Sequence, residues 1–144
     1  MSTQENKALV QRFFDEICNA RKLDLADELF SADHSYQDPA LPGIPPGPAG
    51  MKMVVGIYQT SFPDAFWRVD DMLVADDQVV TRWTGSGTHK AELPGNPAIP
   101  ATGRQVSVQG VWIHRVAGGV IVESWNVWDT LGMLQQLGVI PTAG

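Results

Sequence analysis

The sequence predicts an α+β fold in which N-terminal helices pack on a curved antiparallel sheet, so that sheet and helices form a cone. Two observations carry this prediction. Helical spacing of apolar residues dominates residues 2–62, and four β-rich runs fill most of residues 67–128. Helices followed by strands are typical of folds whose helices cover one face of a sheet. The length of 144 residues fits one domain, so we expect residues 1–144 to be a single domain.

Three helices are expected before the strands. Ser2 and Glu5 have the spacing of a capping box, and apolar residues then recur every three or four positions between 9 and 18. Asp24 is placed to cap a second, short helix that carries Phe30. Pro48 begins a third helix, because proline is tolerated in the first turn.

Four strands should follow, with antiparallel neighbours because the turns between most of them are short. The Pro-rich loop over residues 90–103 should cross the mouth or rim of the sheet, and His89 beside it should lie at the surface or rim. Asp129 is expected to cap a last short helix through Leu137. The expected strands cover residues 67–75, 79–89, 105–116 and 120–128.

Composition excludes several functions. The formal net charge of -6 lacks the basic footprint of a nucleic-acid-binding protein. No apolar stretch reaches the roughly 20 residues that cross a bilayer, so no membrane partner is expected. Cys18 is the single cysteine and the first eight residues do not resemble a signal peptide, so we expect a cytoplasmic protein. The spacing of the three histidines predicts no metal site.

The aromatic residues indicate a binding cavity inside the cone. All five tryptophans lie between residues 67 and 128, on the predicted strands. A curved sheet covered by helices encloses an apolar cavity, which is the usual form of a small-molecule site. We therefore expect a flat, hydrophobic ligand. The predicted substrate-binding residues are Tyr36, Tyr58, Trp83, Trp112 and Trp128.

Several short segments occur together in the order found in one known family. They are Asn6-Lys7-Ala8-Leu9-Val10 with Phe13-Phe14, Asp38-Pro39, Gly47-Pro48-Ala49-Gly50, Ser61-Phe62-Pro63-Asp64, Arg82-Trp83-Thr84 and Thr102-Gly103-Arg104. The most specific is the ending, where Trp128-Asp129 leads into Leu131-Gly132-Met133-Leu134-Gln135-Gln136-Leu137-Gly138. In these segments the chain resembles the SnoaL-like polyketide cyclases, or ester cyclases, of the NTF2-like (cystatin-like) superfamily. The resemblance implies a homodimer that holds a hydrophobic substrate and needs no metal or organic cofactor.

The resemblance also implies a reaction. Its best-known members close a polyketide ring by intramolecular aldol condensation, in which a carboxylate on the last strand removes a proton next to a carbonyl. Counted back from the ending, that position falls on Asn126, and the assisting histidine and glutamine fall on Trp112 and Gly110. A slip of one or two residues would bring His114 or Asp129 into these roles.

Residues two apart on a strand share a face, which groups the candidates. If Asn126 faces the cavity, then Val122, Ser124 and Trp128 do so too. On the preceding strand, Val108, Gly110, Trp112 and His114 would share one face. The opposite positions would meet solvent or a second subunit.

Four side chains are candidates for proton transfer. His114 can take and give a proton, although it could instead lie at the solvent end of its strand beside Arg115. His34 and Asp38 could act as base and orienting group, or the loop could be fixed by its own hydrogen bonds. Asp129 is a candidate whose alternative is a helix cap.

The resulting hypothesis is a cofactor-independent enzyme acting on a cyclic or polyketide-like carbonyl compound by proton transfer, as an aldol cyclase or isomerase. Asn126 would hydrogen-bond an oxygen as an enolate forms. One alternative is a binding or carrier protein that uses the same cavity without chemistry. Another is oxygenation of an electron-rich substrate.

Overall fold

The computed structural model describes residues 2–95 and 97–142. Helix α1 (Thr3–Arg12) continues as a π-helix (Phe13–Asn19), and a 3-10 turn (Leu23–Leu25) leads into helix α2 (Ala26–Leu29). Strand β1 (Phe30–Gln37) precedes helix α3 (Pro48–Ser61). The remaining elements are β2 (Phe66–Ala75), β3 (Gln78–Thr88), β4 (Gln105–Ala117), β5 (Val120–Trp128) and helix α4 (Thr130–Gln136).

The predicted α+β class is confirmed, with helices packed on one face of a curved sheet. The strands form one sheet in the order β1-β5-β4-β3-β2. Neighbours from β2 to β5 are antiparallel, as their turns predicted. No helix in the described ranges is both long and apolar enough to cross a membrane.

Strand β1 was not predicted from the sequence. Its presence makes the sheet mixed and not wholly antiparallel. This strand pairs in parallel with β5, which aligns Tyr36 with Ser124. Phe30, expected in the second helix, instead begins the strand. The segment FSADHSYQ contains no β-branched residue and has Asp33 and His34 in its centre, so its local pattern gives no strand signal. Pairing with β5 overrides that weak propensity.

The N-terminal helix begins as predicted and then widens. Ser2 Oγ accepts a hydrogen bond from the Glu5 N–H at 3.1 Å, and the Glu5 carboxylate accepts from the Ser2 N–H at 3.2 Å. In the following π-helix the Gln59 side chain donates from Nε2 to the carbonyls of Ile17, at 3.0 Å, and Cys18, at 2.8 Å. These bonds join the π-helix to α3 and satisfy two buried carbonyls.

The inner face of the sheet follows the predicted alternation on β4, where Val108, Gly110, Trp112 and His114 are all buried. On β5 the prediction holds for Ser124 and Asn126 and is wrong for Val122, which is only half-buried.

The cause is an irregularity between Arg115 and Val116, where one extra residue on β5 shifts the pairing. A bulge of this kind reverses which residues face inward. Ile121 is therefore completely buried in place of Val122.

The rim is closed by the loop after β3 and by α4. Backbone N–H groups of Lys90 and Ala91 donate to the Ser61 carbonyl, which ties the loop to the end of α3. Leu93 and Ile99 pair with each other within the loop. Asp129 caps α4 as predicted, because its Oδ1 accepts from the Gly132 N–H at 2.8 Å.

Substitution of Gln59 tests the link between α3 and the π-helix. We expect Gln59→Met to lower the free energy of unfolding by roughly 1–3 kcal/mol, because an apolar side chain of similar size leaves two buried carbonyls unpaired. Chemical denaturation measures this change. Gln4→Met is the matched control, since Gln4 is exposed on α1 and its loss should change stability little. Equal stabilities of the two variants would contradict the assignment.

Candidate functional site

A cavity opens between α3 and the inner face of the sheet, with α4 at its edge. It contains about 570 Å³ of empty space, counting its open mouth. Four of the five tryptophans line it, and Trp125 lies outside, on the opposite face of β5. Among the residues that the structure describes, the lining contains no Asp, Glu, His, Lys, Arg or Cys. The cavity is therefore apolar and aromatic.

Glycines make room for the tryptophan rings. A Cβ atom on Gly110 would lie 2.6 Å from both Trp83 Cζ2 and Trp128 Cβ, and one on Gly85 would lie 2.8 Å from Trp83 Cζ3. The indole of Trp83 therefore lies flat along the sheet over two positions without side chains. Trp112 follows at a ring-centroid distance of 6.3 Å from Trp83.

Asn126 is the polar residue of the inner wall, and a buried chain of hydrogen bonds holds it. Its Nδ2 donates to Tyr36 Oη at 3.2 Å. Tyr36 Oη donates to Asp38 Oδ2 at 2.6 Å, and Asp38 Oδ1 accepts from the Ala40 N–H at 2.8 Å. Burial, and next the hydrogen bond to Asp38, raise the pKa of Tyr36 far above its usual value, so this phenol stays protonated.

This series of hydrogen bonds fixes the orientation of the Asn126 amide. The Asp38 carboxylate can only accept, so Tyr36 must donate to it and can offer Asn126 only an acceptor. Nδ2 therefore faces Tyr36, and Oδ1 is turned away from it. Within the described ranges, that Oδ1 has no hydrogen-bond partner, and neither do the Nε1 atoms of Trp83 and Trp112.

Tyr58 supplies a second polar group at the cavity. It lies on α3, and its ring meets that of Trp128 edge-on at a centroid distance of 5.7 Å. Burial, and next the charge of Asp38, raise the pKa of Tyr58 well above its usual value. Its hydroxyl therefore keeps its proton and is a hydrogen-bond donor.

His34 and His114 lie behind the wall and do not line the cavity. The alternative that placed His114 at a solvent end is wrong, because His114 is completely buried and stacks on Trp112 at 5.3 Å. Neither of its ring nitrogens has a hydrogen-bond partner. His34 Nε2 is hydrogen-bonded to Ser124 Oγ at 2.8 Å, whereas Asp38 bonds to Tyr36, so these two residues do not pair with each other.

Burial keeps both imidazoles neutral. It lowers the pKa of His114 to about 3, with a further contribution from His34. It lowers the pKa of His34 to about 4, against the opposing influence of Glu123. Groups with such low pKa values are weak bases at neutral pH.

Two other sequence predictions fall outside the cavity. Asp129 is exposed and engaged as the cap of α4, so its carboxylate does not reach the ligand space. His89 was expected at the surface or rim, but it is completely buried, with Nδ1 hydrogen-bonded to Thr102 Oγ1 at 3.0 Å. The loop folds back over it.

The structure thus brings half of the predicted site residues together at the cavity and keeps the other half away. Tyr58, Trp83, Trp112, Asn126 and Trp128 line it, whereas His34, Tyr36, Asp38, His114 and Asp129 do not. Sequence reasoning did not assign a binding role to several lining residues, whose signal was only that of ordinary core positions. They are Val54, Phe66, Val106 and Met133.

The fold and the cavity together define an NTF2-like protein, in which helices and a curved sheet enclose an apolar site. A sequence model of one family within this class, described as SnoaL-like polyketide cyclase, matches residues 8–137. The chain therefore belongs to the SnoaL-like polyketide cyclase family.

Three of the solved structures that are similar to this chain come from streptomycetes. TsrD from Streptomyces laurentii is 26% identical over 97% of this chain and 99% of its own, with a TM-score of 0.84. AclR, a proposed hydroxylase from Streptomyces galilaeus, is 26% identical over 99% and 87%, with a TM-score of 0.83. IdmH, a proposed polyketide cyclase from Streptomyces antibioticus, is 31% identical over 92% and 98%, with a TM-score of 0.77. No curated protein matches the sequence.

Acid should unfold this protein partly through its buried histidines. An unfolded histidine has a pKa of about 6.5, so between about pH 6.5 and 4 the unfolded chain binds protons that the folded chain excludes. Stability is therefore full above pH 6.5 and falls as the pH is lowered. Each such histidine contributes a slope of up to about 1.4 kcal/mol per pH unit.

We expect His114→Phe to reduce that slope, because phenylalanine preserves the ring packing and removes the titrating group. Denaturant unfolding of both proteins between pH 7 and 4 measures the difference. Parallel stability curves for wild type and variant would show that His114 does not contribute.

Proposed function

We propose that the chain binds a flat, hydrophobic cyclic or polyketide-like carbonyl compound in the tryptophan-lined cavity. We further propose that it promotes proton transfer on this compound without a cofactor, as an aldol cyclase or isomerase does. The observation that carries the proposal is an apolar aromatic cavity whose inner wall holds the single amide of Asn126, anchored through Tyr36 to the Asp38 carboxylate.

The tryptophans and Tyr58 have separate roles. Flat rings stack or meet edge-on with the indoles of Trp83, Trp112 and Trp128, which bury the ligand and fix its plane. The Tyr58 hydroxyl donates a hydrogen bond to a carbonyl oxygen. That bond strengthens as the oxygen gains negative charge in the enolate, so it lowers the barrier to enolisation.

Water at the open mouth of the cavity accepts the proton that the substrate loses. Described lining residues hold no group that titrates near neutral pH, and an asparagine cannot replace the carboxylate of the cyclases. The substrate must therefore be acidic, with the C–H between two carbonyls. Loss of this proton gives an enolate, whose carbon attacks a third, more distant carbonyl of the same molecule. The resulting alkoxide then takes a proton from water.

Hydrogen–deuterium exchange of naphthoylacetone, a flat β-diketone, tests this proposal. We expect the protein to accelerate exchange of the central C–H in deuterium oxide, with a rate that rises with the concentration of buffer base. Tyr58→Phe should lower the accelerated rate roughly a hundredfold, as loss of one positioned donor does. Met53→Leu, an exposed change on the same helix, is the control.

A second candidate function is binding or carriage without chemistry. The observation that favours it is the same absence, from the described lining, of a side chain that titrates near neutral pH. Naphthoylacetone that binds while its exchange rate stays at the solution value supports this candidate and contradicts enolisation. Oxygenation, suggested by the likeness to AclR, predicts oxygen consumption with an electron-rich substrate.

We also propose that two copies of the chain pair through the outer face of the sheet. Val111 and Val127 are directly paired on β4 and β5 and point outward, with 40% and 62% of their surfaces exposed. The ion pair of Arg115 and Glu123 lies four residues further along the same two strands. A twofold axis would place apolar residues together and oppositely charged groups opposite one another.

The dimer can be disrupted without touching the cavity. We expect the double variant Val111→Glu and Val127→Glu to elute with half the wild-type mass in size-exclusion chromatography with light scattering, because it places like charges at the contact. Met53→Glu also introduces a charge at an exposed apolar position and should remain a dimer. A wild-type protein that is monomeric would refute the pairing.

A further inference from the structure

Two unpartnered polar atoms occur on directly paired residues of the cavity wall. Trp112 on β4 aligns with Asn126 on β5, and both residues are more than nine-tenths buried. The Trp112 Nε1–H is a donor, the Asn126 Oδ1 is an acceptor, and neither has a hydrogen-bond partner among the residues that the structure describes. Burying both atoms unpaired costs stability, so this part of the wall is complete only with a group that accepts from one and donates to the other.

The acceptor is not free to become a donor. Asp38 orients Tyr36, and Tyr36 in turn holds Nδ2 of Asn126 at 3.2 Å. Rotation of the amide would place two acceptors, Oδ1 and the Tyr36 oxygen, against each other. The carboxylate thus determines, through two intervening side chains, that Asn126 offers Oδ1 away from Tyr36.

We propose that Trp112 and Asn126 together recognise a hydroxyl group of a flat ligand, an enol or a phenol. This inference rests on the proposed function, since it concerns the ligand of the same cavity. The hydroxyl oxygen accepts from Trp112 Nε1–H and its proton is donated to Asn126 Oδ1. A ketone or methyl ether at that position can accept but cannot donate, so Asn126 stays unpaired and opposes another acceptor.

Tyr36 and Asp38 are positioning residues in this scheme, because they act on the ligand only through the Asn126 amide. Their effect therefore appears as a change in selectivity between hydroxyl and ether, and not merely as a change in stability. A purely structural role for Tyr36 would weaken both ligands alike.

Naphthol and its methyl ether are a suitable pair of probes, because they share a flat apolar ring and differ in the one hydrogen-bond donor. Isothermal titration calorimetry measures each Kd. We expect wild type to bind naphthol roughly tenfold more tightly than methoxynaphthalene, the effect of one buried group left unpaired. Asn126→Leu should bring the ratio close to one.

A second variant keeps the test decisive if Asn126→Leu does not fold. Tyr36→Phe preserves the ring and releases the amide, so the preference for naphthol should fall several-fold. Gln78→Leu removes an amide from an exposed strand end and should leave the ratio unchanged.

The outcomes separate this inference from the proposed function. Equal affinity of wild type for naphthol and its ether overturns hydroxyl recognition and leaves ligand binding in place. A protein that binds neither probe refutes both. An unchanged preference in Asn126→Leu and Tyr36→Phe would assign the selectivity to another group.

Discussion

Two buried hydrogen bonds between β1 and β5 organise the interior of this protein. Tyr36 Oη accepts a hydrogen bond from the Asn126 amide, and His34 Nε2 is hydrogen-bonded to Ser124 Oγ. Both bonds satisfy polar groups that could not be buried alone, since an unpaired group of this kind costs about 1–3 kcal/mol. They also join the one parallel edge strand to the sheet through its inner face. The hydrogen bonds that attach β1 to the sheet therefore also position the polar part of the cavity wall.

The apolar part of the wall depends on the absence of side chains at two places. Gly85 and Gly110 leave the surface on which the Trp83 indole lies, and Trp112 continues that aromatic surface toward the closed end of the cone. Behind Trp112, His114 and Phe13 fill the remaining space, with Phe13 at 4.9 Å from the Trp112 ring. Cavity and core are therefore one continuous aromatic cluster, and His114 belongs to its packed part.

Local signals predicted most of the fold. The capping box at Ser2, the start of α3 at Pro48 and the cap at Asp129 depend on residues a few positions apart, and the sequence contains them directly. Strand β1 could not be predicted in this way, because its stability comes from pairing with a strand about 90 residues later. The same separation hides the bond between Tyr36 and Asn126. Both residues were predicted to belong to the site, but no local pattern in the sequence shows that they are in contact.

The π-helix of residues 13–19 also affects how this chain tolerates changes in length. A wider turn accommodates one more residue than an α-helix does, and each residue of an α-helix advances the side chains by about 100°. Loss of a single residue there would turn all preceding side chains of α1, Leu9 and Val10 among them, to a different face. A one-residue deletion within the π-helix would therefore rotate the N-terminal helix. The same deletion in the loop over residues 90–103 would only shorten a connection.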